Sequence, residues 1–188
     1  MIGSINIEWT TKWEDEIRKE DHESYASLLS RAFPDHSNVY SGTRSWYAAR
    51  PEVRIVGTVD GKTIAHLGLL RRFLRGLESN SNILVGDTGL VAIDPNYQNS
   101  GIGSLLLKQN SQLLANLNIP FGLLTCLPEL VKFYKANGWQ LLDGQKIRMV
   151  NADFLVQNSD SIPMIMPIAN NEDSWPTDQI LDRNGQEV

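Results

Sequence analysis

The stretch Gln98-Asn99-Ser100-Gly101-Ile102-Gly103 constrains this chain more than any other, because of what flanks it. Before it, Ile83 to Ile93 is an apolar run that reads as a strand. After it, Leu105, Leu106, Leu107, Leu113, Leu114 and Leu117 recur at helical spacing from Ser104 to Asn118. A glycine-bearing turn between strand and helix aims free main-chain N–H groups, and the positive end of the helix dipole, at whatever sits on the helix N-terminus. Such a turn suits a diphosphate. Glycine at 101 and 103 removes side chains that would block the approach. A P-loop would need a Lys-Ser/Thr pair behind its last glycine, whereas Ser104-Leu105 follow here. The dinucleotide fingerprint Gly-x-Gly-x-x-Gly fails too, with Leu106 where its third glycine belongs. The pattern met without mismatch is Gln-x-x-Gly-x-Gly, and its bland alternative is a pair of glycines that merely ease a tight turn.

Composition narrows the classes. A chain of 188 residues with 41% hydrophobic content suits one globular domain over residues 1–188, with 169–188 expected as a polar C-terminal tail. No apolar run approaches the length needed to cross a bilayer, and Met1 to Glu16 carries acids and tryptophans rather than a secretory signal, so no membrane role is expected. Cys126 is the single cysteine, which excludes an internal disulfide and suits a cytoplasmic location. His22, His36 and His66 have no metal-ligand spacing, so no metal is expected. The net charge is −5 and the basic residues are scattered, which argues against a nucleic-acid partner. That field weakly favours a cationic second substrate.

Periodicity gives a mixed α and β order. Glu20 to Phe33 reads as a helix that Asp21 can cap. Pro34 to Pro51 is a polar connection, with a short helix before Pro51 compatible with its sequence. Val53 to Val59 and Lys62 to Phe73 form a hairpin about Asp60-Gly61, and Ser79 to Asn82 is a loop before the Ile83 strand. Pro120 to Thr125 is a short buried strand, Pro128 to Asn137 a helix closed by Gly138, and Trp139 to Ile168 alternates like further strands.

This order resembles the GNAT superfamily of N-acetyltransferases, whose Gln/Arg-x-x-Gly-x-Gly/Ala turn grips the pyrophosphate of acetyl-CoA. Phe133-Tyr134-Lys135-Ala136-Asn137-Gly138-Trp139 is similar to its Tyr-x-x-x-Gly-Phe/Trp signature. The resemblance implies an α/β fold with a mixed, mostly antiparallel central sheet flanked by helices. It further implies acetyl-CoA held by Gln98, Asn99, Ser100, Gly101, Ile102, Gly103 and Ser104, and by main-chain N–H groups of Val91, Ala92 and Ile93. Tyr134 is implied as the acid that protonates the leaving thiolate, a transfer that a phenol near pKa about 10 can make to a thiolate near about 8.5. A catalytically silent acyl-CoA-binding protein is the competing class.

A closer resemblance is carried by Ser45-Trp46, Ala49-Arg50-Pro51-Glu52-Val53-Arg54, Ala65-His66-Leu67-Gly68-Leu69-Leu70-Arg71-Arg72-Phe73, Ser174-Trp175-Pro176 and Asp182-Arg183-Asn184-Gly185. These segments are similar to the NodA family of nodulation N-acyltransferases, which place a fatty acyl chain on the free 2-amino group of a chitin oligosaccharide. The His66-Leu67-Gly68 strand and the Tyr134 to Trp139 helix end are also similar to aminoglycoside 2′-N-acetyltransferases. Both imply an amino-sugar amine as acceptor. A homodimer is compatible with the sequence. In the NodA family the glycine turn looks degraded, whereas here it is intact, so acetyl-CoA is the expected donor and an amino sugar or aminoglycoside the expected acceptor. NodA-type fatty acyl transfer is the alternative.

Direct transfer needs a neutral amine, a thioester beside it and donors for the tetrahedral oxyanion. The position that carries a glutamate base in many relatives is Gly89 here, which cannot act. Strand alternation puts Asp87 on the same face as Gly89 and Val91, so Asp87 is the first candidate base. His66 is the second, by its intrinsic pKa near about 6.5. Trp46, Arg50 and Trp175 are the candidate sugar-binding residues, since indole stacks on sugar faces and an arginine fixes hydroxyls, against a plain core role. Cys126, among Leu123, Leu124 and Leu127, reads as buried and inert, and Arg71, Arg72 and Arg75 as a solvated strand end.

Overall fold

The computed structural model describes residues 6–79, 81–168, 174–177 and 179–188. The chain divides into two compact units, Met1–Leu69 with Leu90–Asn110, and Leu70–Gly89 with Ser111–Val188.

The first unit is built on a meander of β1 (Glu8–Trp13), β2 (Val53–Val59) and the leading part of β3 (Lys62–Gly76). Trp13 pairs with Val53, and Val53 with Leu69, in antiparallel register. Asp60 and Gly61 both take positive φ (49° and 74°), the geometry that lets a two-residue turn follow the strand twist. Helix α1 (Lys19–Ala32) buries Tyr25, Ala26, Leu28 and Leu29, one apolar stripe at helical spacing. In its first turn the Asp21 carboxylate accepts the Arg18 N–H at 3.0 Å and an ammonium proton of Lys12 at 2.9 Å. The unit also takes the end of β4 (Asn82–Ile93), the glycine turn and the start of α2 (Ile102–Asn116).

In the second unit the strands lie in the order β6 (Gln140–Leu141), β9 (Ile162–Pro167), β5 (Phe121–Cys126), β4, β3, β10 (Leu181–Asp182), β7 (Ile147–Val150) and β8 (Val156–Asn158). β4 pairs with β5 and β10 with β7 in parallel, while β5–β9, β6–β9, β3–β10 and β7–β8 are antiparallel. The mixed, mostly antiparallel sheet is the one expected. Its core gathers Leu74, Val85, Phe121, Leu123, Ile147, Ile165, Trp175 and Leu181. Helix α3 (Val131–Ala136) follows a 3-10 turn at Pro128–Leu130. It closes at Gly138 (φ 85°), where Trp139 N–H donates to Tyr134 O at 3.1 Å.

Four features depart from the sequence reading. Residues 8–13 form a strand, because β2 offers them a free edge that no local pattern reveals. The connection from 34 to 51 holds a 3-10 turn at Pro34–His36 and no helix before Pro51. The alternation expected from Asp87 through Val91 is interrupted at Leu90, whose φ is +52°. The described residues of 169–188 are not a polar tail: Leu181 and Asp182 form a strand between β3 and β7, and Arg183 is buried. Residues 169–173 and 178 of that expected tail lie outside the described residues.

Candidate active site

In the first unit the end of β4, the turn after it and the start of α2 form a continuous row of residues. Leu90 sits in the left-handed region, a conformation that costs a bulky residue about 1–3 kcal/mol and persists only when its surroundings fix it. Its carbonyl accepts a hydrogen bond from His66 Nδ1 at 3.0 Å. Four residues later the Asp94 N–H donates to Ile64 O at 2.8 Å. The buried Asp94 carboxylate then accepts Asn96 N–H at 3.1 Å and pairs with Arg31 and Lys62, each at 3.0 Å. Val91, Ala92 and Ile93 are therefore bracketed by two anchors on β3.

The Gln98 amide reaches back to Ile93 O at 3.3 Å, and Ser100 Oγ donates to Tyr97 O. Gln98 to Gly101 are exposed, and Asn99 and Gly101 take φ of 58° and 85°. A Cβ built on Gly101 meets nothing within 4 Å, so the space over the turn is open. The first helical hydrogen bond of α2 runs from Leu105 N–H to Gly101 O at 3.2 Å, so the N–H groups of Ile102, Gly103 and Ser104 precede it. No acidic side chain stands in that first turn to compete for them. These are donors that a diphosphate can accept from.

Behind this row runs a buried polar chain. Glu14 accepts both Arg54 Nε (2.9 Å) and Arg54 NH2 (3.0 Å), a bidentate pair whose arginine is fully buried. Arg54 NH1 donates to Ser45 O at 2.6 Å and lies 3.3 Å from His66 Nε2. Because a carbonyl can only accept and a guanidinium can only donate, His66 is the neutral Nδ1–H tautomer with both ring nitrogens engaged. Burial, reinforced by the Arg54 charge, lowers its pKa to about 3. Burial pushes the Glu14 carboxyl up, but the hydrogen bonds from Arg54 and Arg50 outweigh it and hold the group below its ordinary value. Trp46 and Arg50 meet at the open side of this cluster, the guanidinium 4.7 Å from the indole centroid. Arg50 also pairs with Glu14 at 2.5 Å, and His22 Nδ1 lies 2.8 Å from Ser45 Oγ. Two of the three expected sugar-binding residues are thus brought together, with Arg50 about half exposed.

The second unit holds the remaining candidates. Asp87 Oδ2 stands 3.1 Å from Arg72 Nε and 3.3 Å from Arg183 Nε, and Arg183 NH1 donates to Glu187 at 2.9 Å. Glu187 also accepts Thr125 Oγ1 at 3.0 Å. Burial pushes the Asp87 carboxyl above its ordinary value, opposed by Arg183 and Arg72. Arg72 belongs to this cluster and is not part of a solvated strand end. The Val188 main chain occupies the space a Cβ on Gly89 would take. Tyr134 is buried with its ring edge-on to Trp139 at 6.0 Å, and burial pushes its hydroxyl well above the usual phenol range. Cys126 is buried and its thiol raised by that burial. Trp175 packs edge-on against Phe121 at 5.0 Å and donates Nε1–H to Gln145 at 2.8 Å. It is a core residue here, unlike Trp46, because Phe121 and Leu181 enclose it.

Sequence reasoning gave no role to Glu14, Arg54, Arg183 or Glu187. The available signal was an arginine inside the otherwise apolar run Val53 to Val59, which has to bring a carboxylate with it when buried.

The family described as nodulation protein A (NodA) matches residues 4–188. The chain belongs to the NodA family. This NodA-family chain is 31% identical to nodulation protein A of Bradyrhizobium sp. (strain NC92), over 97% of this chain and 92% of that protein. It is 29% identical to nodulation protein A of Rhizobium meliloti (strain 1021), over 98% of this chain and all of that protein. Among solved structures it is similar to the GNAT family N-acetyltransferase YhbS from Escherichia coli in complex with CoA. That likeness has a TM-score of 0.67 at 14% identity and covers 97% of this chain and 92% of that one. It is also similar to Escherichia coli ElaA, with a TM-score of 0.60 at 14% identity over 86% of this chain and 99% of that one. The NodA-family chain therefore has the GNAT fold, and family and fold together make it an N-acyltransferase. Among the described residues no helix is long and apolar enough to cross a membrane.

Proposed function

We propose that this protein transfers an acyl group from acyl-CoA to the 2-amino group of a glucosamine unit in a chitin oligosaccharide, acting in the cytoplasm. The observation that carries the donor half is the open glycine turn with an acid-free helix start, where the N–H groups of residues 102 to 104 converge. The full-length relation to nodulation proteins supports the acceptor half. Main-chain N–H groups of Val91, Ala92 and Ile93 bind the thioester and the pantetheine arm, and the donor at the thioester carbonyl takes up its charge as the tetrahedral adduct forms. A neutral amine attacks the thioester directly, Asp87 accepts the amine proton through water, and Tyr134 gives its proton to the departing thiolate. A carboxyl raised by burial is a stronger base than an exposed one, which favours Asp87. A sugar 2-amine is less basic than lysine (about 10.4), so more of it is neutral at pH 7 and less base strength is needed. Trp46 with its stacked Arg50 supplies a platform for the sugar ring.

Thiol release from acetyl-CoA and from a long-chain acyl-CoA, measured with glucosamine oligomers, aminoglycosides and lysine peptides, tests this reading. Glucosamine oligomers are expected to exceed lysine peptides in kcat/KM by about tenfold or more. Peptides outrunning the sugars at every pH refute the acceptor. A long-chain donor outrunning acetyl-CoA assigns fatty acyl transfer, and aminoglycosides leading assigns an antibiotic acceptor instead.

A further inference from the structure

His66 is fully buried, lies on the strand beside the end of β4, and has one hydrogen-bond partner on each ring nitrogen. With Nδ1–H on a carbonyl and the one lone pair facing the Arg54 guanidinium, the ring has no free site to take a proton from a substrate amine. What it meets is the carbonyl of Leu90, the one residue of β4 in the left-handed region and the neighbour of the Val91, Ala92 and Ile93 donors. We infer that His66 is a positioning residue: its Nδ1–H holds the Leu90 carbonyl and so fixes the kink that sets the course of the main chain at Val91 to Ile93, whose N–H groups meet the acyl-CoA. This rests on the acyl-transfer role given to those groups above.

Two further observations support it. The opposite end of the same segment is tied to the same strand, Asp94 N–H to Ile64 O at 2.8 Å, so the His66 bond is one of a pair that brackets residues 91 to 93. His66 is itself held from behind, since Arg54 NH1 faces Nε2 at 3.3 Å and is oriented by its bidentate pair with Glu14. The Tyr25 ring, 5.3 Å from the imidazole, completes the enclosure. Glu14, Arg54, His66 and the Leu90 carbonyl form a relay of orientation, in which the Arg54 donor and the Leu90 acceptor leave the imidazole one tautomer.

The test separates the two edges of the imidazole. In His66→Asn the amide nitrogen replaces Nδ1 and keeps the donor to Leu90 while releasing Arg54. In His66→Gln the amide lies near the Nε2 position, keeps a partner for Arg54 and releases Leu90. His66→Leu releases both. A displacement of about 1 Å in groups facing the reacting atom costs on the order of 10²-fold, so kcat is expected to fall about 10–100-fold in the Gln and Leu variants and less than about fivefold in the Asn variant. Acetyl-CoA affinity, held chiefly at the glycine turn, is expected to change less than about threefold in all of them.

Backbone amide resonances of Leu90 to Ile93 give a readout that needs no turnover. They are expected to move in the Gln and Leu variants and to stay near wild-type positions in the Asn variant. Equal loss of kcat in Asn and Gln variants of equal thermal stability overturns the inference, as does a Gln variant with unshifted amides. Wild-type protein that transfers no acyl group to any amine overturns the function proposed above, while the amide shifts still decide whether His66 fixes the kink.

Discussion

Asp87 and Arg183 stand in contact with about 1% of either side chain exposed, the carboxylate Oδ2 3.3 Å from the guanidinium Nε. Arg72 approaches the same oxygen at 3.1 Å. Removing Asp87 leaves two guanidiniums sharing the single carboxylate of Glu187. Breaking a buried pair from one side costs about 3–5 kcal/mol, so Asp87→Asn is expected to lower the unfolding free energy by about that much, read as a lower denaturation midpoint. An unchanged midpoint contradicts the pairing. If Asp87 is also the base, activity lost at pH 7 returns as pH rises and the amine deprotonates unaided, whereas a purely structural loss stays flat with pH.

Stability should depend on pH through His66. Its folded pKa, about 3, lies below the unfolded value near about 6.5, so the unfolded chain binds a proton first as pH falls. The neutral imidazole's contribution is complete above pH about 6.5 and is lost progressively below it, by roughly 3 kcal/mol at pH 4.5. Burial also lowers His22, which adds in the same direction. The carboxylates of Glu14 and Asp94, held below their ordinary values, lose their contribution only at more acid pH. Urea midpoints at pH 7, 5.5 and 4.5 check this, and His66→Asn is expected to flatten most of the decline. A wild-type midpoint that does not fall between pH 6.5 and 4.5 contradicts the neutral, enclosed imidazole.

Gly103→Asp should move binding and stability in opposite directions. An acid in the first turn of α2 complements the helix dipole and replaces a flexible glycine, which together contribute about 0.5–1 kcal/mol or more of stability. The same carboxylate takes the N–H groups intended for a diphosphate and repels its charge. Calorimetry should show acetyl-CoA affinity reduced by at least about tenfold, some 1.4 kcal/mol. Undiminished affinity in the folded variant would exclude this turn as the cofactor site.

Tyr134→Phe keeps the ring that packs on Trp139 and removes only the hydroxyl. Loss of a general acid typically lowers the chemical step by about 10²–10⁴-fold. Single-turnover rates are expected to fall within that range while acetyl-CoA affinity is held. A rate equal to wild type under conditions where chemistry limits turnover removes Tyr134 from the mechanism.

The glycine turn, the helix after it, the Asp60-Gly61 hairpin and the Gly138 helix end were legible in the sequence because each is a local property. A positive φ at a glycine and a helical or alternating period are set by neighbours within one or two turns of chain. The long run of shared segments likewise carried the family, since it needs only the order of residues. What only the tertiary structure decided is which charges meet. Glu14 finds Arg54 across 40 residues and His66 finds Leu90 across 24, and no spacing rule links such partners. Burial then sets their chemistry: it turns His66 from an apparent base into an enclosed neutral donor, and Asp87 from a strand carboxylate into the centre of a two-arginine cluster. The same holds at the C-terminal end, where Leu181 and Asp182 look like part of a polar tail until β3 and β7 offer them a place between two strands. Leu90 is the sharpest case. Its residue type argues for an ordinary strand position, and only the hydrogen bond from a distant imidazole gives the left-handed kink a reason to persist.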